Sequence, residues 1–332
     1  MKPPPEISIQ ARNLTKSYGP VTAIEDVSFE IEKGEVIGFL GPNGAGKSTT
    51  MRILCGLVQA TSGSAYLGGI SVVENPDAIK KIVGYMPENN PLPEDLRVIE
   101  YLRYRAKLKQ IAPHEINNRV EEVLENCDLH HKARRRIIRS LSKGFRQRVG
   151  IADALLTHPE IVIMDEPTIG LDPHQTKIIR DLIQNRRGRM TFILSSHILQ
   201  EVELLCDRIL IINQGRIVAQ GKSSDLRHEY VPGNTWRITT KGENSNLPGL
   251  LLKLDSKAEI PYVEDGPLPD TFTFKTFDTS VCGESIIQAI QKDNKATLCE
   301  LAHLEPSLEE IFLAATKRSW EATLTRKPVT NN

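Results

Sequence analysis

Long apolar runs are absent from this sequence. A membrane-spanning helix needs about 18 or more apolar residues in a row, and no segment of the 332-residue chain approaches that length. Residues 1–7 carry three prolines and no apolar core, so no secretory signal is expected there. The sequence therefore predicts a chain that is neither inserted in a membrane nor secreted.

An excess of charge of either sign is absent as well. The chain has 42 Lys and Arg residues against 42 Asp and Glu residues. Domains that bind nucleic acid through its phosphates are usually strongly basic, so no nucleic-acid partner is expected. Hydrophobic residues at 39% and charged residues at 25% are instead typical of a folded globular chain.

Cysteines are few, odd in number and scattered. No two have the spacing of metal ligands, and nothing suggests a disulfide framework. We therefore expect reduced thiols and a cytosolic protein. The five are Cys55, Cys127, Cys206, Cys282 and Cys299.

Short apolar runs alternate with helix-length segments over the first 220 residues. Residues 36–40, 161–164 and 191–194 show no polar alternation, which favours strands buried on both faces. Strands that alternate with helices predict an α/β fold with a parallel sheet. We place this domain at residues 1–225, and we expect a hairpin turn at residues 213–216.

Two regions depart from this alternation. Residues 88–158 carry apolar residues at helical spacing and no strand pattern, which predicts a helical subdomain inserted in the α/β core. Residues 226–332 contain turn-rich segments around strands at 236–239 and 271–274, with helices expected at 285–292 and 307–316. This composition predicts a small C-terminal α+β accessory domain, with a polar and disordered tail from Thr325.

One motif in the α/β domain fits the phosphate-binding pattern G-x-x-x-x-G-K-[ST]. It follows a predicted strand and opens a predicted helix, which favours nucleotide binding over a simple glycine-rich turn. Glycines allow backbone N–H groups to surround phosphate oxygens, and the helix N-terminus adds a positive dipole end. Within it, Lys47 is expected to reach the β- and γ-phosphates and Ser48 to bind Mg²⁺. Its residues are Gly41, Pro42, Asn43, Gly44, Ala45, Gly46, Lys47 and Ser48, followed by Thr49.

A pair of acids ends the apolar run at residues 161–164. Alone, Asp165 and Glu166 would be interpreted as solvated acids at a strand end. Beside a phosphate loop, a carboxylate in this position is suited to the Mg²⁺ held by Ser48, and we assign Asp165 to it. Glu166 comes next, where it could hold a water in line with the γ-phosphate.

Further motifs complete a family pattern. L-S-K-G-F-R-Q-R at residues 141–148 is similar to the signature L-S-G-G-Q, and G-L-D-P at residues 170–173 is similar to the D-loop. His197 follows the strand at 191–194. With the phosphate loop and the acidic pair, these motifs resemble the nucleotide-binding subunits of ABC (ATP-binding cassette) transporters over residues 7–226. The resemblance implies the P-loop NTPase ABC cassette fold, with ATP and Mg²⁺ as ligands.

The resemblance also assigns roles to single residues. It implies that Tyr18 stacks on adenine and that His197 contacts the γ-phosphate. Glu166 and Lys47 become catalytic residues. Ser142 and Gly144 would cap the γ-phosphate of a second cassette in a head-to-tail dimer. Glu88 occupies the Q-loop position, where it would accept from Mg²⁺-bound water.

Three residues depart from the family pattern. Lys143 stands where the signature usually has its first glycine, and Phe145 where it has glutamine. Glu88 replaces the glutamine of the Q-loop and adds a negative charge near the phosphates. These departures, the accessory domain and the segment at residues 305–312 resemble the subclass that serves type-2 ABC exporters, which includes multidrug and gliding-motility exporters. Residues 87–92 are most similar to the gliding-motility members.

This subclass implies how the protein works. A separate transmembrane permease subunit would form the pore, and this chain would bind it at the inner face of the cell membrane through the basic stretch at residues 97–109. Two other classes stay open. One is an ABC ATPase that acts on ribosomes or DNA, although one phosphate loop and no long coiled coil argue against it. The other is a regulatory cassette that binds ATP without turnover.

Overall fold

The computed structural model describes residues 6–196, 198–242, 247–260, 270–292 and 296–325. Contacts divide the chain into two compact units, one of Met1–Ser223 with Arg318–Asn332 and one of Ser224–Lys317. Among the described residues, no helix combines the length and the apolar character needed to cross a membrane. His197 and the tail beyond Thr325 lie outside the described residues.

Within the described residues, ten strands belong to the first unit. They are β1 (Ile7–Tyr18), β2 (Val21–Glu32), β3 (Val36–Leu40), β4 (Ser62–Leu67), β5 (Ile70–Ser71), β6 (Val83–Met86), β7 (Ile161–Asp165), β8 (Thr191–Ser195), β9 (Arg208–Asn213) and β10 (Arg216–Gly221). Its helices are α1 (Lys47–Leu54), α2 (Pro76–Ile82), α3 (Val98–Leu108), α4 (Ile116–Asn126), α5 (Lys143–Leu155), α6 (Pro173–Gln184) and α7 (Leu199–Leu205).

A six-stranded sheet carries the first unit, in the order β10-β9-β3-β8-β7-β6. All neighbours are parallel except β10, which pairs antiparallel with β9. Every residue of β3, β7 and β8 is buried, in agreement with their unbroken apolar sequences. The predicted parallel α/β sheet is therefore confirmed. Because β8 separates β3 from β7, the loops that leave these three strands meet at one edge of the sheet.

The predicted hairpin between β9 and β10 is also present. Gln214 and Gly215 both have positive φ, at 49° and 77°, as a tight two-residue hairpin turn requires. The predicted helical subdomain is confirmed too: α3, α4 and α5 pack around a core that includes Leu102, Val120 and Leu124. A 3₁₀ turn at Ile138–Ser140 leads into the signature segment.

Sequence analysis missed one layer of the first unit. Strands β1, β2, β4 and β5 form a separate antiparallel sheet in the order β2-β1-β4-β5. The alternation of Val27, Phe29 and Ile31 on β2, all buried, is the period-two signal of such a sheet. Bulges in the β1–β2 register obscure the same signal on β1.

The second unit is a small α+β assembly. Its strands β11 (Asn234–Gly242), β12 (Thr271–Thr276) and β13 (Ala296–Leu304) form an antiparallel sheet in the order β12-β11-β13. The predicted strands at 236–239 and 271–274 are present, whereas β13 was not anticipated. The remaining helices of the chain are α8 (Ser223–Tyr230), α9 (Leu247–Leu252), α10 (Gly283–Lys292) and α11 (Leu308–Thr325).

Strand β6 and helix α5 approach each other without room for a side chain. A Cβ added at Gly84 on β6 would lie inside contact distance of the Ala154 carbonyl oxygen on α5, and Pro159 lies 3.0 Å away. Both neighbours are rigid, so neither can move aside easily. Glycine at this position allows the helical subdomain to pack against the central sheet.

We expect Gly84→Ala to lower the free energy of unfolding by about 1–3 kcal/mol, the usual cost of inserting a methyl group into a filled site. Urea denaturation measures this. Gly249→Ala on α9 is the matched control, since nothing lies within 4 Å of a Cβ there and alanine favours a helix. Equal stability of Gly84→Ala and the wild type would contradict the close packing of β6 on α5.

Candidate nucleotide-binding site

A glycine-rich loop joins β3 to α1 at the edge of the central sheet. Gly46 precedes the helix with φ of 108°, a conformation that favours glycine. A Cβ there would also meet Ile24 Cγ2 at 2.5 Å and the Ala23 carbonyl oxygen at 2.8 Å. Glycine at this position thus lets the loop turn tightly into α1 while packing on β2.

Lys47 anchors this loop from the inside. Its side chain is buried at 8% exposure, and its Nζ donates to the carbonyl oxygens of Gly41 at 2.6 Å and Pro42 at 3.2 Å. Gly41 itself lies against the Ile212 carbonyl with no room for a Cβ. The ammonium group is therefore held by two carbonyls of the loop directly after β3, and the first of these residues packs on β9.

A cavity of about 510 Å³ opens above this loop, within the size range of ligand pockets. Seven consecutive loop residues line it, together with acids from two other segments of the chain. The lining residues are Ala23, Asn43, Gly44, Ala45, Gly46, Lys47, Ser48, Thr49, Glu88, Asp165, Glu166 and Ile169. The structure thus brings together most of the residues that the sequence assigned to the phosphates and to Mg²⁺.

Opposite charges meet in this cavity. Burial lowers the pKa of Lys47, while the negative charges of Glu166, Asp165 and Glu88 counteract part of that shift. Asp165 and Glu166 are buried at 3% and 6% exposure, whereas Glu88 is exposed. Lys47, Asp165 and Glu166 therefore interact as buried groups, which are screened less by water than exposed ones.

Ser195, at the end of β8, connects the two acids. Its Oγ donates to Asp165 Oδ1 at 2.5 Å and accepts from the backbone N–H of Glu166 at 2.9 Å. Ser195 is fully buried. One hydroxyl thus fixes the orientation of the Asp165 carboxylate and the start of the loop that carries Glu166.

The backbone of Glu166 adopts an uncommon conformation. Its φ is 52°, in the left-handed region that residues other than glycine rarely occupy. Its carbonyl oxygen accepts from Gln147 Nε2 at 3.0 Å and from the Ile169 N–H at 3.3 Å. Neighbouring groups therefore hold the peptide units on both sides of this residue.

The oxygen donors in the cavity fit a magnesium ion. Ser48, Asp165 and Glu88 contribute a hydroxyl and two carboxylates to one lining. Over the described part of the chain, no group of three or more His, Cys, Asp or Glu residues could hold a metal alone. Mg²⁺ usually binds through one or two carboxylates plus substrate phosphates, so this donor set suits Mg²⁺ that arrives with a nucleotide.

Several predicted residues lie away from this cavity. Tyr18 is 48% exposed at the end of β1, where Lys16 Nζ lies 5.0 Å from its ring centroid. Ser142 and Gly144 lie at the start of α5, outside the cavity lining of their own chain. A Cβ added at Gly144 would collide with the side chain of Gln175 on α6. The prediction for His197 falls outside the described residues.

Two neighbours of the acids were missed from the sequence. Ser195 ends a predicted strand, and the carboxyl ends of parallel strands are the usual place for ligand-binding groups. Its position at the end of a strand could therefore have indicated Ser195 as a site residue. Gln147 lies inside the signature segment, but no local pattern links it to Glu166, which is 19 residues further along the chain.

A phosphate loop and an acidic pair at the edge of one parallel sheet define a P-loop nucleotide hydrolase. Comparisons with known proteins identify the family within this class. A family model described as ABC transporter matches residues 24–169.

Curated relatives match over more of the chain. The linearmycin resistance ATP-binding protein LnrL of Bacillus subtilis is 35% identical over 94% of this chain and 99% of its own length. The doxorubicin resistance ATP-binding protein DrrA of Mycobacterium tuberculosis is 31% identical over 94% of both chains. The Nod factor export ATP-binding protein I of Cupriavidus pinatubonensis is 36% identical over 76% of this chain and 77% of its own length.

Solved structures agree with this grouping. An ATP-binding subunit of an ABC transporter superposes with a TM-score of 0.62 at 30% identity, covering 67% of this chain and 93% of the other. A dimeric cassette in a post-hydrolysis state with ADP and Pi gives a TM-score of 0.60 at 27% identity, covering 64% and 98%. The chain belongs to the ABC transporter family, as one of its ATP-binding, ATP-hydrolysing subunits.

We expect Lys47→Ala to weaken ATP binding by about 10- to 100-fold and to remove turnover, because hydrogen bonds from a charged group are worth about 1.5–3 kcal/mol. Isothermal titration calorimetry measures the affinity. Lys33→Ala is the control, since Lys33 is half-exposed and pairs with Glu6 at the surface. Unchanged affinity together with unchanged turnover in Lys47→Ala would contradict the phosphate-loop assignment.

Proposed function

We propose that this chain hydrolyses ATP to power an exporter, acting through a separate membrane-spanning subunit at the inner face of the cell membrane. The observation that carries the proposal is the match to LnrL, which extends over 94% of this chain and 99% of that protein. The likeness therefore covers the accessory unit as well as the cassette. Relatives named for drug resistance and for Nod factor export support export as the direction.

Phosphate binding follows from the loop and Lys47. The N–H groups at the start of α1 and its dipole favour negative charge. The Lys47 ammonium is placed at the β- and γ-phosphates. Ser48 and Asp165 would hold Mg²⁺, and Glu88 would add a further oxygen acceptor on the same lining; the ion would supply positive charge to offset that of the phosphate oxygens. Catalysis here depends chiefly on positioning and on charge stabilisation.

Glu166 is the residue that orients the attacking water and accepts its proton. It lines the same cavity as Lys47 and follows Asp165 directly. Burial and fixed backbone contacts hold it in one place, as a general base requires. Tyr18 and His197 have the roles in adenine stacking and γ-phosphate contact that the family resemblance gives them.

Each nucleotide site contains residues from two copies of the chain. Ser142 is exposed at the N-terminus of α5, outside its own chain's cavity, where it is available to a second cassette. A head-to-tail pair with twofold symmetry would form two equivalent sites, each with Ser142 and Gly144 of the other copy against the γ-phosphate. A paralogous cassette could replace the second copy without changing this geometry.

Two basic residues of the stretch 97–109 form ion pairs within their own chain. Arg105 donates to Asp153 at 3.0 Å, and Lys109 pairs with the same carboxylate at 3.3 Å. Asp153 is buried on α5, so these two cations hold α3 against α5. Arg105 and Lys109 are thus partly neutralised within their own chain, and contact of the stretch 97–109 with a partner stays a prediction.

An exposed face of α3 remains for the partner. Arg103 and Lys107 are exposed, and neither forms an ion pair within the described part of the chain. Tyr104 and Leu108 beside them are 53% and 54% exposed. Positions four apart share a helix face, so these four residues make one basic and apolar surface, which we assign to the membrane subunit.

We expect Glu166→Gln to bind ATP while its turnover falls by at least about 100-fold, the usual loss on removing a general base. With hydrolysis stalled, ATP and Mg²⁺ should hold two copies together as a dimer in size-exclusion chromatography. Adding Ser142→Arg should abolish that dimer, because a bulky cation would block closure. Arg139→Ala, at an exposed residue near α5, should leave the dimer intact.

Full turnover in Glu166→Gln would show that Glu166 is not the base. Loss of turnover without an ATP-dependent dimer, even with membrane subunits present, would contradict the two-copy site. A wild-type chain that binds ATP but never hydrolyses it, alone or with membranes, would favour a regulatory cassette instead.

Reversing charge at Arg103 and Lys107 to Glu should weaken recovery of the membrane subunit from detergent-solubilised membranes and leave ATP affinity unchanged. Like-charge substitutions at an interface weaken association by making the potentials less complementary. The control reverses Lys80 and Lys81, which are both exposed on α2. Sedimentation of the wild-type chain with ribosomes or DNA at physiological salt, rather than with membranes, would contradict the exporter proposal.

A further inference from the structure

Helix α5, which begins within the signature segment, reaches the proposed general base of its own chain, Glu166. Gln147 lies on α5, five positions after the exposed Ser142, and is buried at 4% exposure. Its side-chain amide donates to the carbonyl oxygen of Glu166 at 3.0 Å. One side of this helix therefore faces outward to a second cassette, while another contacts the backbone that carries Glu166.

The conformation of Glu166 makes this contact important. Its φ of 52° has a cost comparable to one hydrogen bond for a residue with a side chain. Such conformations persist only where the surroundings impose them. Ser195 fixes the N–H of Glu166 at 2.9 Å, and Gln147 is the side chain that fixes its carbonyl.

Helix α5 is rigidly held where it makes this contact. Gly144 packs against the side chain of Gln175 on α6, and Gly150 packs against Asn90 in the segment after Glu88, both without room for a Cβ. The guanidinium of Arg148 lies 4.4 Å from the centroid of the Phe145 ring and donates to the Cys127 and Asp128 carbonyls. The backbone from which the Gln147 side chain extends is thus held in place.

We propose that Gln147 is a positioning residue for hydrolysis, which holds the Glu166 carboxylate of its own chain at the γ-phosphate. The proposal rests on the role given to Glu166 above. It means that α5 serves two sites: Ser142 caps the nucleotide of the second copy, and Gln147 orients the base of its own site.

Two substitutions at Gln147 separate this role from simple packing. Gln147→Leu keeps a similar volume and removes the donor. Gln147→Met keeps the length of the side chain and also removes the donor. Both should lower kcat by about 10- to 100-fold, the scale of a misplaced catalytic group, with the KM for ATP changed less than about threefold.

The matched control is Gln184→Leu, at an exposed glutamine at the end of α6, which should leave both constants unchanged. Melting temperature is measured for every variant. A loss of kcat in both Gln147 variants, with Gln147→Leu as stable as the wild type, supports the proposal. Wild-type kcat in either folded variant overturns it, as does a loss of kcat that follows melting temperature from variant to variant.

Mixed dimers decide which site Gln147 serves. In the first, one copy carries Gln147→Leu and the other Glu166→Gln, so the one intact Glu166 lies in the chain that lacks Gln147. In the second, one copy carries both substitutions and the other is wild type. The proposal predicts that the first dimer hydrolyses ATP, per intact Glu166, as slowly as the Gln147→Leu homodimer. The second dimer should hydrolyse ATP as fast as a reference dimer of one wild-type copy and one Glu166→Gln copy.

The reverse pattern overturns the proposal, because it would place the effect of Gln147 on the site that its own signature segment caps. Equal slowing in both dimers overturns it as well. Hydrolysis by the reference dimer of one wild-type copy and one Glu166→Gln copy shows whether the proposed function holds independently of Gln147. If that dimer shows no hydrolysis, or if Glu166→Gln alone retains full turnover, the assignment of Glu166 fails first.

Discussion

One ammonium group stands among three carboxylates in the nucleotide cavity, and the rest of the site is arranged around this excess of negative charge. Lys47 is buried and tied to backbone carbonyls, while Asp165, Glu166 and Glu88 face the same space. A triphosphate entering alone would meet this excess of negative charge, which favours binding together with a divalent cation. The Glu88 substitution strengthens this preference relative to a cassette with glutamine there.

The sequence was sufficient to predict this cavity because its parts are local. The phosphate loop, the acidic pair and Glu88 each follow a short apolar strand, and parallel strands bring their carboxyl ends to one edge. Ser195 and Gln147 were not predicted, because their contacts depend on which strands and helices are neighbours. The order β3-β8-β7 places Ser195 between loop and acids, and no spacing along the chain indicates that order.

The errors in predicting the fold have similar physical origins. The antiparallel sheet of β1, β2, β4 and β5 was overlooked because bulges interrupt the alternation along β1. The pairing of Arg105 and Lys109 with Asp153 was not predicted either, because this counter-ion lies more than 40 residues away in sequence. The composition of a basic run does not show which of its cations pair with a distant carboxylate, because that depends on how the helices pack.

The left-handed backbone at Glu166 also bears on how this protein can change over time. Glycine or asparagine would adopt a φ of 52° more readily, and either would remove a carboxylate from a crowded acidic cavity. Either substitution would therefore relieve the backbone strain at this position. If Glu166 has the proposed role, relief of that strain would come at the expense of hydrolysis, so this position sets backbone stability against turnover.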